Sequence, residues 1–315
     1  MRARYAIPLV TMAAGAAGLG YAAAYEVHSF RLRRIEVPVL PHGARSLRVL
    51  HISDLHLTPG QHKKRRWLRS LAALHPDFVI NTGDNIAHVA ALPPLLDALG
   101  PLLDLPGVFV LGSNDYYRPR PKNPVRYLLP GDRPRLDGMT TLPWQDLRDE
   151  FRKAGWLDLD NARGRLKVDG REVAFVGVDD PHIGYDRYED VAGPADPSAD
   201  LSIGVLHAPY THVLDAMAGD GHQLLVAGHT HGGQLCLPGF GTLVTNCDID
   251  RRRARGLSRY GPGDNPAWLH VSAGLGTSPY APVRFACPPE ATLLTLVAES
   301  MTLRPALGGG GVRAP

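Results

Sequence analysis

The chain has 315 residues, of which 44% are hydrophobic, and this allows a large buried core in one or two domains. The balance of 34 basic and 31 acidic residues leaves a formal net charge of +3, so no nucleic acid is expected as a partner. Three cysteines without a C-x-x-C spacing exclude a disulfide framework and a zinc ribbon.

The first predicted element is an uncharged run from Ala6 to Tyr25. About 20 apolar residues can cross a bilayer, so residues 1–25 are predicted as a transmembrane anchor, with a signal segment as the alternative. The predicted location is the cell membrane, as a single-pass protein. Basic residues flank the run on both sides, which leaves the positive-inside rule close to a tie, with the exported side slightly favoured for the catalytic domain.

Residues 26–46 contain Pro38, Pro41 and Gly43 and are predicted as a linker between the membrane and a globular domain. The globular domain is predicted over residues 47–300. Residues 301–315 are predicted as a flexible tail, because this stretch is rich in glycine and ends in a short polar segment.

Six short apolar runs, each ending in polar residues, predict strands of a mostly buried sheet. They cover residues 47–53, 77–84, 107–115, 172–180, 201–209 and 223–231. Helix-compatible segments at 63–75 and 89–101 alternate with the first strands, which indicates an α/β fold. Residues 117–143 are rich in Pro and Arg and are predicted as a long loop or lid, and residues 184–200 as a second loop.

The polar residues at the strand ends combine carboxylate, imidazole, hydroxyl and amide groups. They are Asp54, His56, Asp84, Ser113, Asn114, Asp115, His207, His229 and His231. Ligand sites of α/β sheets lie beyond the carboxyl ends of the strands, so these groups are expected together at that edge, which is called the rim below. Oxygen and nitrogen ligands of this mixture suit Mn²⁺, Fe or Zn²⁺ better than Ca²⁺. Their number exceeds the need of one ion, which favours two ions about 3.5–4 Å apart.

Each of these residues also has an ordinary structural explanation. Asp54 could cap a helix, Asp84 could be a turn residue, and His207 could be a hydrogen-bonded core histidine. Asn114 and Asp115 could likewise form a turn. All of these explanations would have to hold together to remove the predicted metal site.

Five motifs resemble the blocks of the calcineurin-like metallophosphoesterases in order and spacing. They are D-L-H at 54–56, G-D-N at 83–85, G-S-N-D at 112–115, the histidine at 207 and G-H-T-H at 228–231. The G-G-Q that follows, and S-A-G-L-G-T…P-V-R…P-P-E at 272–290, resemble the membrane-associated branch of that family. That branch includes the YkuE- and YaeI-like phosphoesterases and a UDP-2,3-diacylglucosamine hydrolase form.

The resemblance implies a four-layer α/β/β/α sandwich that binds two divalent metal ions, with manganese favoured over iron and zinc. It implies seven ligands. Asp54, His56 and His231 would hold one ion, and Asp84 would bridge the two ions. Asn114, His207 and His229 would hold the other ion. Asp84, Asn114 and His229 are also implied to act in catalysis. A hydroxide between the ions would attack phosphorus.

One motif departs from the family, because the third block normally reads G-N followed by His or an acid. Here G-S-N-D leaves open whether Ser113 or Asn114 is the ligand, and an amide oxygen is the better ligand of the two. The family's proton-donating histidine is absent from this turn. General acid help is worth about 10²–10⁴-fold, so substrates with good leaving groups are favoured. His182 could supply the proton instead, or it could be an exposed loop histidine.

The segment HKKRRWLR at 62–69 has two interpretations. It could bind an anionic lipid surface or a polyphosphate, or it could be an exposed helix face with Trp67 and Leu68 turned to the core. The predicted function is hydrolysis of a phosphodiester or pyrophosphate bond in a small-molecule or lipid-linked substrate. A metal-retaining protein that tethers envelope polyphosphates is the main alternative, and a single-metal amide hydrolase is a weaker one.

Overall fold

The computed structural model describes residues 15, 17–121, 136–263 and 266–299. Within these ranges the strands, in chain order, are β1 (Arg31–Leu40), β2 (Leu47–Ile52), β3 (Phe78–Asn81), β4 (Gly107–Phe109), β5 (Leu157–Asp158), β6 (Ala162–Val168), β7 (Arg171–Gly177), β8 (Leu201–Val205), β9 (Leu224–Ala227), β10 (Cys236–Leu237), β11 (Gly241–Thr242), β12 (Gly256–Tyr260), β13 (Ala267–Val271) and β14 (Glu290–Ala298). The α-helices are α1 (His62–Ser70), α2 (Leu92–Leu103), α3 (Ser113–Tyr116), α4 (Trp144–Lys153) and α5 (Thr211–Gly219).

Short helical turns complete the described elements. A π-turn covers Tyr21–Tyr25, and the 3-10 turns are Glu26–His28, Leu71–Leu74, Pro181–Ile183, Tyr188–Asp190, His231–Gly233 and Arg251–Arg253. Two residues, 29 and 30, separate the turn at Glu26–His28 from the start of β1. The turn at His231–Gly233 follows β9 and connects to the β10–β11 hairpin.

Two six-stranded mixed sheets form the centre of the fold. The first has the order β1-β14-β2-β3-β4-β5, and the second has the order β12-β13-β9-β8-β7-β6. Strands β2, β3 and β4 are parallel neighbours, as are β7, β8 and β9. The carboxyl ends of each parallel group therefore lie at one edge of their sheet.

Successive side chains of a strand are buried in two different apolar cores, one between the sheets and one between the sheet and its helices. On β3, Phe78 and Ile80 belong to the core between the sheets, whereas Val79 belongs to the core that contains helices α1, α2 and α4. On β9, Val226 faces the core between the sheets and Leu225 faces the core that contains α5. This period of two follows from strand geometry and places the layers in the order helices, sheet, sheet, helix.

The predicted α/β fold and both predicted helices agree with the structure, although the sheets are mixed rather than wholly parallel. The sequence pattern did not predict helix α4. The strands that it did not predict lie mainly at the sheet edges. Strands β13 and β14 are the exceptions. β13 lies between β12 and β9, whereas β14 lies between β1 and β2 and pairs with β2 in antiparallel register, with Leu294 opposite Val49.

The segment predicted as a linker differs from this expectation. Residues 31–40 form β1, which pairs in parallel with β14 from Arg31 beside Glu290 to Leu40 beside Ala298. The pairing is possible despite Pro38 because β1 is an edge strand, where a proline that lacks an N–H is tolerated. Val37, Val39 and Leu40 bury their side chains in the core between the sheets.

The predicted transmembrane segment falls largely on residues outside the described ranges. Among the residues that are described, no helix has the length and apolar character needed to cross a bilayer. The predicted tail beyond residue 300 and most of the predicted lid, residues 122–135, also lie outside the described ranges. Residues 184–200 form a loop, as predicted, with a single 3-10 turn at Tyr188–Asp190.

Candidate metal centre

The predicted ligands follow the carboxyl ends of adjacent parallel strands. Asp54 and His56 follow β2, and Asp84 follows β3. The loops after β2 and β3 are joined by backbone hydrogen bonds from Asp54 N to Gly83 O and from His56 N to Asp84 O, both 2.9 Å long. In the second sheet, His207 follows β8 and accepts a hydrogen bond on its carbonyl from Gly228 N, after β9. The two sheets therefore bring their loops to one rim.

Two groups of possible ligand atoms converge on this rim. One consists of Asp54, His56 and His231, and the other of Asp54, Asp84 and His207. Within each group the ligand atoms all lie within 4.8 Å of one another, and every member is buried. Asp54 belongs to both groups, so the two clusters are adjacent.

The spacing of the ligand atoms fits coordination of a metal ion. His56 Nε2 lies 3.1 Å from His231 Nε2 and 3.4 Å from Asp84 Oδ2. His207 Nε2 lies 3.6 Å from Asp84 Oδ2, and His231 Nε2 lies 3.6 Å from Asp54 Oδ1. Metal–ligand distances of about 2.0–2.2 Å place neighbouring ligand atoms about 3.0–3.6 Å apart. The donor set and its spacing therefore fit transition-metal ions.

The backbone at this rim is strained in a consistent way. Five predicted ligands have φ values in the left-handed region, between 40° and 67°: Asp54, His56, Asp84, His229 and His231. Side chains other than glycine rarely adopt this conformation, and each instance costs on the order of 1–3 kcal/mol. Such strain persists where the surrounding structure determines the conformation, and it turns these side chains toward one point.

Two glycines allow the close approach of the ligand loops. A Cβ atom on Gly228 would lie 2.7 Å from Asp54 Oδ2. A Cβ atom on Gly112 would lie 2.7 Å from His207 Cε1 and would also collide with Asp84 Oδ1. Any side chain at either position would displace a carboxylate of the rim.

Backbone carbonyl groups orient three imidazoles. His207 Nδ1 lies 2.6 Å from Thr82 O, and His231 Nδ1 lies 3.1 Å from Gly276 O. Since a carbonyl oxygen can only accept, Nδ1 of His207 donates to Thr82 O, and Nε2 of His207 faces Asp84. Nδ1 of His231 also lies 3.3 Å from a nitrogen of the Arg284 guanidinium, which can only donate, so a donor and an acceptor compete for this nitrogen. His229 is oriented differently, because it is Nε2 of this ring that contacts a backbone carbonyl, 3.3 Å from Asn246 O.

His229 also supports Asp54 through its backbone. Its N–H donates to Asp54 Oδ1 at 3.2 Å and to Asp54 Oδ2 at 3.0 Å. Its ring packs against those of His207 and His182, with centroid distances of 5.2 Å and 4.4 Å. Among the described residues, the two convergent ligand groups do not include a nitrogen of His229.

Charge and burial shift the pKa values of the rim in opposite directions. Burial raises the pKa of Asp54 to about 6 and lowers the pKa of His56 to about 4. Burial alone would lower the pKa of His207, but the carboxylates of Asp84, Asp180 and Asp54 raise it to about 10. Three carboxylates thus act on one imidazole, which is the electrostatic environment of a cation site.

The G-S-N-D turn places Asn114 against the carboxylate of Asp84. The backbone N of Asn114 donates to Asp84 Oδ1 and its side-chain amide donates to Asp84 Oδ2, both at 2.7 Å. Ser113 begins helix α3 beside it. Burial would raise the pKa of Asp84, but His207, His56 and these two hydrogen bonds from Asn114 hold it below its usual value.

Asp115 has a role that the sequence did not suggest. It is fully buried, and its carboxylate accepts backbone hydrogen bonds from Asp84 at 2.8 Å, Asn85 at 2.7 Å and Gly112 at 3.1 Å. The pKa of Asp115 is raised to about 7, chiefly by burial. Asp115 therefore supports the turn that carries Asp84.

The V-D-D-P-H segment contributes two further residues to the rim. Asp180 is fully buried, its Oδ1 accepts from His182 N at 2.8 Å, and its Oδ2 has no hydrogen-bond partner. His182 packs on the ring of His229 and has its Nδ1 3.1 Å from Tyr210 Oη. His182 therefore lies at the rim rather than on an outlying loop. Asp180 was missed because nothing local separates it from a turn residue.

Arg284, in the P-V-R motif, supports the rim from behind. It is fully buried, and its guanidinium donates to the carbonyls of Ala273 at 2.7 Å and Gly276 at 2.6 Å. Gly276 O is also the partner of His231 Nδ1. A single arginine thus fixes the loop that orients one of the predicted ligands.

The basic segment at 62–69 forms helix α1, and its residues have divided roles. Leu68 is buried, and Trp67 packs on Phe30 with ring centroids 5.5 Å apart. Lys64 is also buried and donates to Leu55 O at 2.6 Å. Arg65 Nη2 is 2.8 Å from Asp97 Oδ2. These contacts favour the interpretation of an ordinary helix with one face on the core.

Comparison with known proteins adds independent information. Residues 47–233 match the sequence profile of the family described as calcineurin-like phosphoesterase. The chain is 28% identical over 273 residues to the uncharacterized protein YpbG of Bacillus subtilis, which covers 86% of each chain.

Two further relatives extend this likeness over nearly the whole chain. The uncharacterized metallophosphoesterase YkuE of Bacillus subtilis is 25% identical over 90% of this chain and 93% of its own. The phosphodiesterase YaeI of Escherichia coli is 26% identical over 94% of this chain and 99% of its own. The resemblance inferred from the sequence motifs is confirmed by these matches.

Proposed function

The chain belongs to the calcineurin-like phosphoesterase family, a family of metal-dependent hydrolases of phosphoric esters, and on that premise we propose that it cleaves a phosphodiester or pyrophosphate bond with two divalent ions. One observation carries the proposal. Asp54 belongs to two convergent groups of buried ligand atoms at once, as expected for neighbouring ions.

We propose that Asp54, His56 and His231 hold one ion, that Asp84 bridges, and that His207, Asn114 and His229 complete the second site. Manganese is the favoured metal. When bound, such ions lower the pKa of water and neutralise the charge of phosphoryl oxygens. The protein's own contribution is to hold the ligands rigidly, through the carbonyls of Thr82 and Gly276 and the carboxylate of Asp115.

The third turn supports a preference for substrates with good leaving groups. The residue after Asn114 is Asp115, whose carboxylate is occupied by backbone N–H groups of the Asp84 turn. It therefore faces the protein rather than a substrate, and an alkoxide leaving group would depart without its help. Phosphoanhydrides and activated diesters need such help least.

The substrate is proposed to be linked to lipid or to the cell envelope, because the sequence begins with an uncharged run long enough to anchor the chain in a membrane. This part of the proposal depends on the N-terminal segment and not on the rim. It can fail while the hydrolytic activity stands.

The test uses the purified full chain with Mn²⁺ and bis(p-nitrophenyl) phosphate, together with the variants Asp84→Asn and Asp97→Asn. Asp84 lies in a convergent ligand group, whereas Asp97 is an exposed partner of Arg65. We expect hydrolysis by the parent and by Asp97→Asn, and none by Asp84→Asn. A parent that binds two ions per chain but hydrolyses no phosphodiester or pyrophosphate would instead indicate the tethering protein.

A further inference from the structure

A group of large apolar side chains lies exposed near the N-terminal segment. We define this docking surface by Tyr21 and Tyr25, which precede β1, by Leu235, Leu237 and Phe240, in and around the β10–β11 hairpin, and by Tyr280. Phe240 is 64% exposed, Tyr25 is 62% exposed and Leu237 is 49% exposed. Contiguous exposed apolar groups of this kind mark interaction sites in proteins that are otherwise well packed.

Direct contacts join the two halves of the docking surface. The ring of Tyr21 stacks near that of Tyr25, with centroids 5.3 Å apart, and meets the ring of Phe285 edge-on at 6.1 Å. Phe285 in turn forms a bridge with Leu235, immediately before the hairpin. The hairpin and the N-terminal turn are therefore parts of one continuous face.

The N-terminal half is also fixed to the domain. The carboxylate of Glu26, directly after Tyr25, accepts hydrogen bonds from Cys287 N at 2.6 Å and Ala286 N at 3.0 Å. Arg284 N donates to Ala22 O at 3.1 Å. The end of the uncharged run from Ala6 to Tyr25 is thus held against the same loop as the hairpin.

Basic residues adjoin the tip of the hairpin. Arg251 lies with its guanidinium 5.5 Å from the centre of the Phe240 ring. Arg252 follows it and is exposed, 3.8 Å from Asp250, whereas Arg253 turns to Ser258 Oγ at 2.9 Å. Apolar side chains bordered by arginines are typical of segments that lie in the interface of an anionic bilayer. Tyrosines with one apolar and one polar end are likewise enriched at that depth.

We propose that the docking surface binds the headgroup region of an anionic lipid bilayer, with Leu237 and Phe240 inserted among the acyl chains. Two features identify the partner as lipid. The uncharged run from Ala6 to Tyr25 ends in the tyrosines of the surface, and Arg251 borders the apolar tip at Phe240. Two residues separate the hairpin from the turn that carries His231. Docking of the hairpin would therefore place the rim beside the membrane.

The experiment places an environment-sensitive fluorophore on the full chain through Phe240→Cys, Leu237→Cys or Lys167→Cys. Lys167 is exposed and pairs with Glu172 at the start of β7, the end of the sheet opposite the rim. Each protein is mixed with phosphatidylcholine–phosphatidylglycerol vesicles, with and without brominated acyl chains. The unlabelled parent, treated in the same way, corrects for reaction at Cys247, which is half-buried.

We expect a blue shift and loss of emission with brominated lipid at positions 240 and 237, and neither effect at 167. The effects should weaken in vesicles of phosphatidylcholine alone. Because the readout is not catalytic, it is independent of the proposed hydrolysis. Vesicle-bound protein whose labels at 240 and 237 stay as solvent-exposed as the label at 167 would overturn the proposal. A surface already shielded before vesicles are added, in a species of twice the mass, would assign it to a second copy instead.

Discussion

Histidines are buried in two neighbouring places in this protein, with opposite consequences. At the rim, His207 faces the carboxylates of Asp54, Asp84 and Asp180, and its pKa is raised to about 10. Between the sheets, His51 and His270 contact each other through Nδ1 at 3.0 Å. Burial lowers the pKa of His270 to about 3 and holds that of His51 well below its usual value.

The difference lies in the surroundings of the rings rather than in their burial. His51 Nε2 contacts the hydroxyl of Thr82 at 2.9 Å, so its neighbours are neutral. The rim instead combines several carboxylates with imidazoles whose Nε2 atoms point at them. A cation is needed where negative charge collects, and a neutral histidine pair is part of the core. The predictions below test this distinction, beginning with the largest effect.

Removal of a rim carboxylate is expected to have the largest effect. Asp84→Asn keeps the shape of the side chain but loses its charge. We expect phosphodiesterase activity to fall by more than the roughly 10–100-fold typical of losing a ligand's hydrogen-bond partner, because a ligand itself is lost. Steady-state rates at saturating Mn²⁺ would measure this. Activity within tenfold of the parent would remove Asp84 from the proposed site.

A smaller effect is expected from Asp115→Asn. The substitution replaces one of the two oxygens that accept backbone hydrogen bonds from Asp84 and Asn85 with an amide NH2 group, which cannot accept, and it touches no proposed ligand. We expect about a 10–100-fold loss of metal affinity or activity. Titration with Mn²⁺ separates the two outcomes, since a displaced turn raises the metal concentration needed for half-maximal activity. An unchanged titration curve would contradict the supporting role of Asp115.

The pH dependence of stability is expected to depend on the neutral pair of His51 and His270. Between the folded pKa of His270, about 3, and its ordinary value of about 6.5, the unfolded chain binds more protons. Stability contributed by the neutral pair is therefore present above pH 6.5 and is lost as the pH falls through this window. At about 1.4 kcal/mol per unit, the loss amounts to a few kcal/mol.

Urea unfolding of the metal-free protein at several pH values measures this loss. The variant His51→Leu with His270→Leu should show a flatter decline between pH 6.5 and 4 than the parent, while still binding metal. Parallel declines in the two proteins would mean that the pair does not titrate as described.

The smallest effect is expected on the surface. Arg65→Gln removes the ion pair with Asp97, which is 60% exposed. Exposed pairs contribute about 0.2–1 kcal/mol, so we expect a change in the free energy of unfolding within that range and an unchanged reaction rate. A loss of activity on soluble substrates would give helix α1 a role in catalysis that its contacts do not suggest.

Sequence patterns predicted the elements with strong local signals. The runs that begin at residues 47, 77, 201 and 223 form buried strands, because each combines apolar residues with polar residues at its C-terminal end. Strand β1 was taken for a linker because Pro38 and Pro41 dominate its local signal. Its pairing with β14, more than 250 residues away, is a tertiary contact that no local pattern contains.

The candidate site was predictable only where motifs carry it. Asp54 and Asp84 follow parallel neighbours in one sheet, so their convergence follows from strand order, whereas His207 joins them through the packing of the second sheet on the first. Asp180 acts through its burial and Arg284 through hydrogen bonds to a loop some ten residues away, and the sequence context of both resembles that of ordinary residues. The same limit applies to His51 and His270, whose separation from the rim depends on which side chains surround them.

Elemental analysis of the purified full chain after reconstitution with Mn²⁺ measures whether the rim binds two ions, with Asp54→Ala and His51→Leu beside the parent. Because Asp54 is a proposed ligand of one ion, we expect two ions per chain in the parent and in His51→Leu, and at most one ion in Asp54→Ala. Fewer than one ion per parent chain, or two ions retained by Asp54→Ala, would contradict the proposed centre.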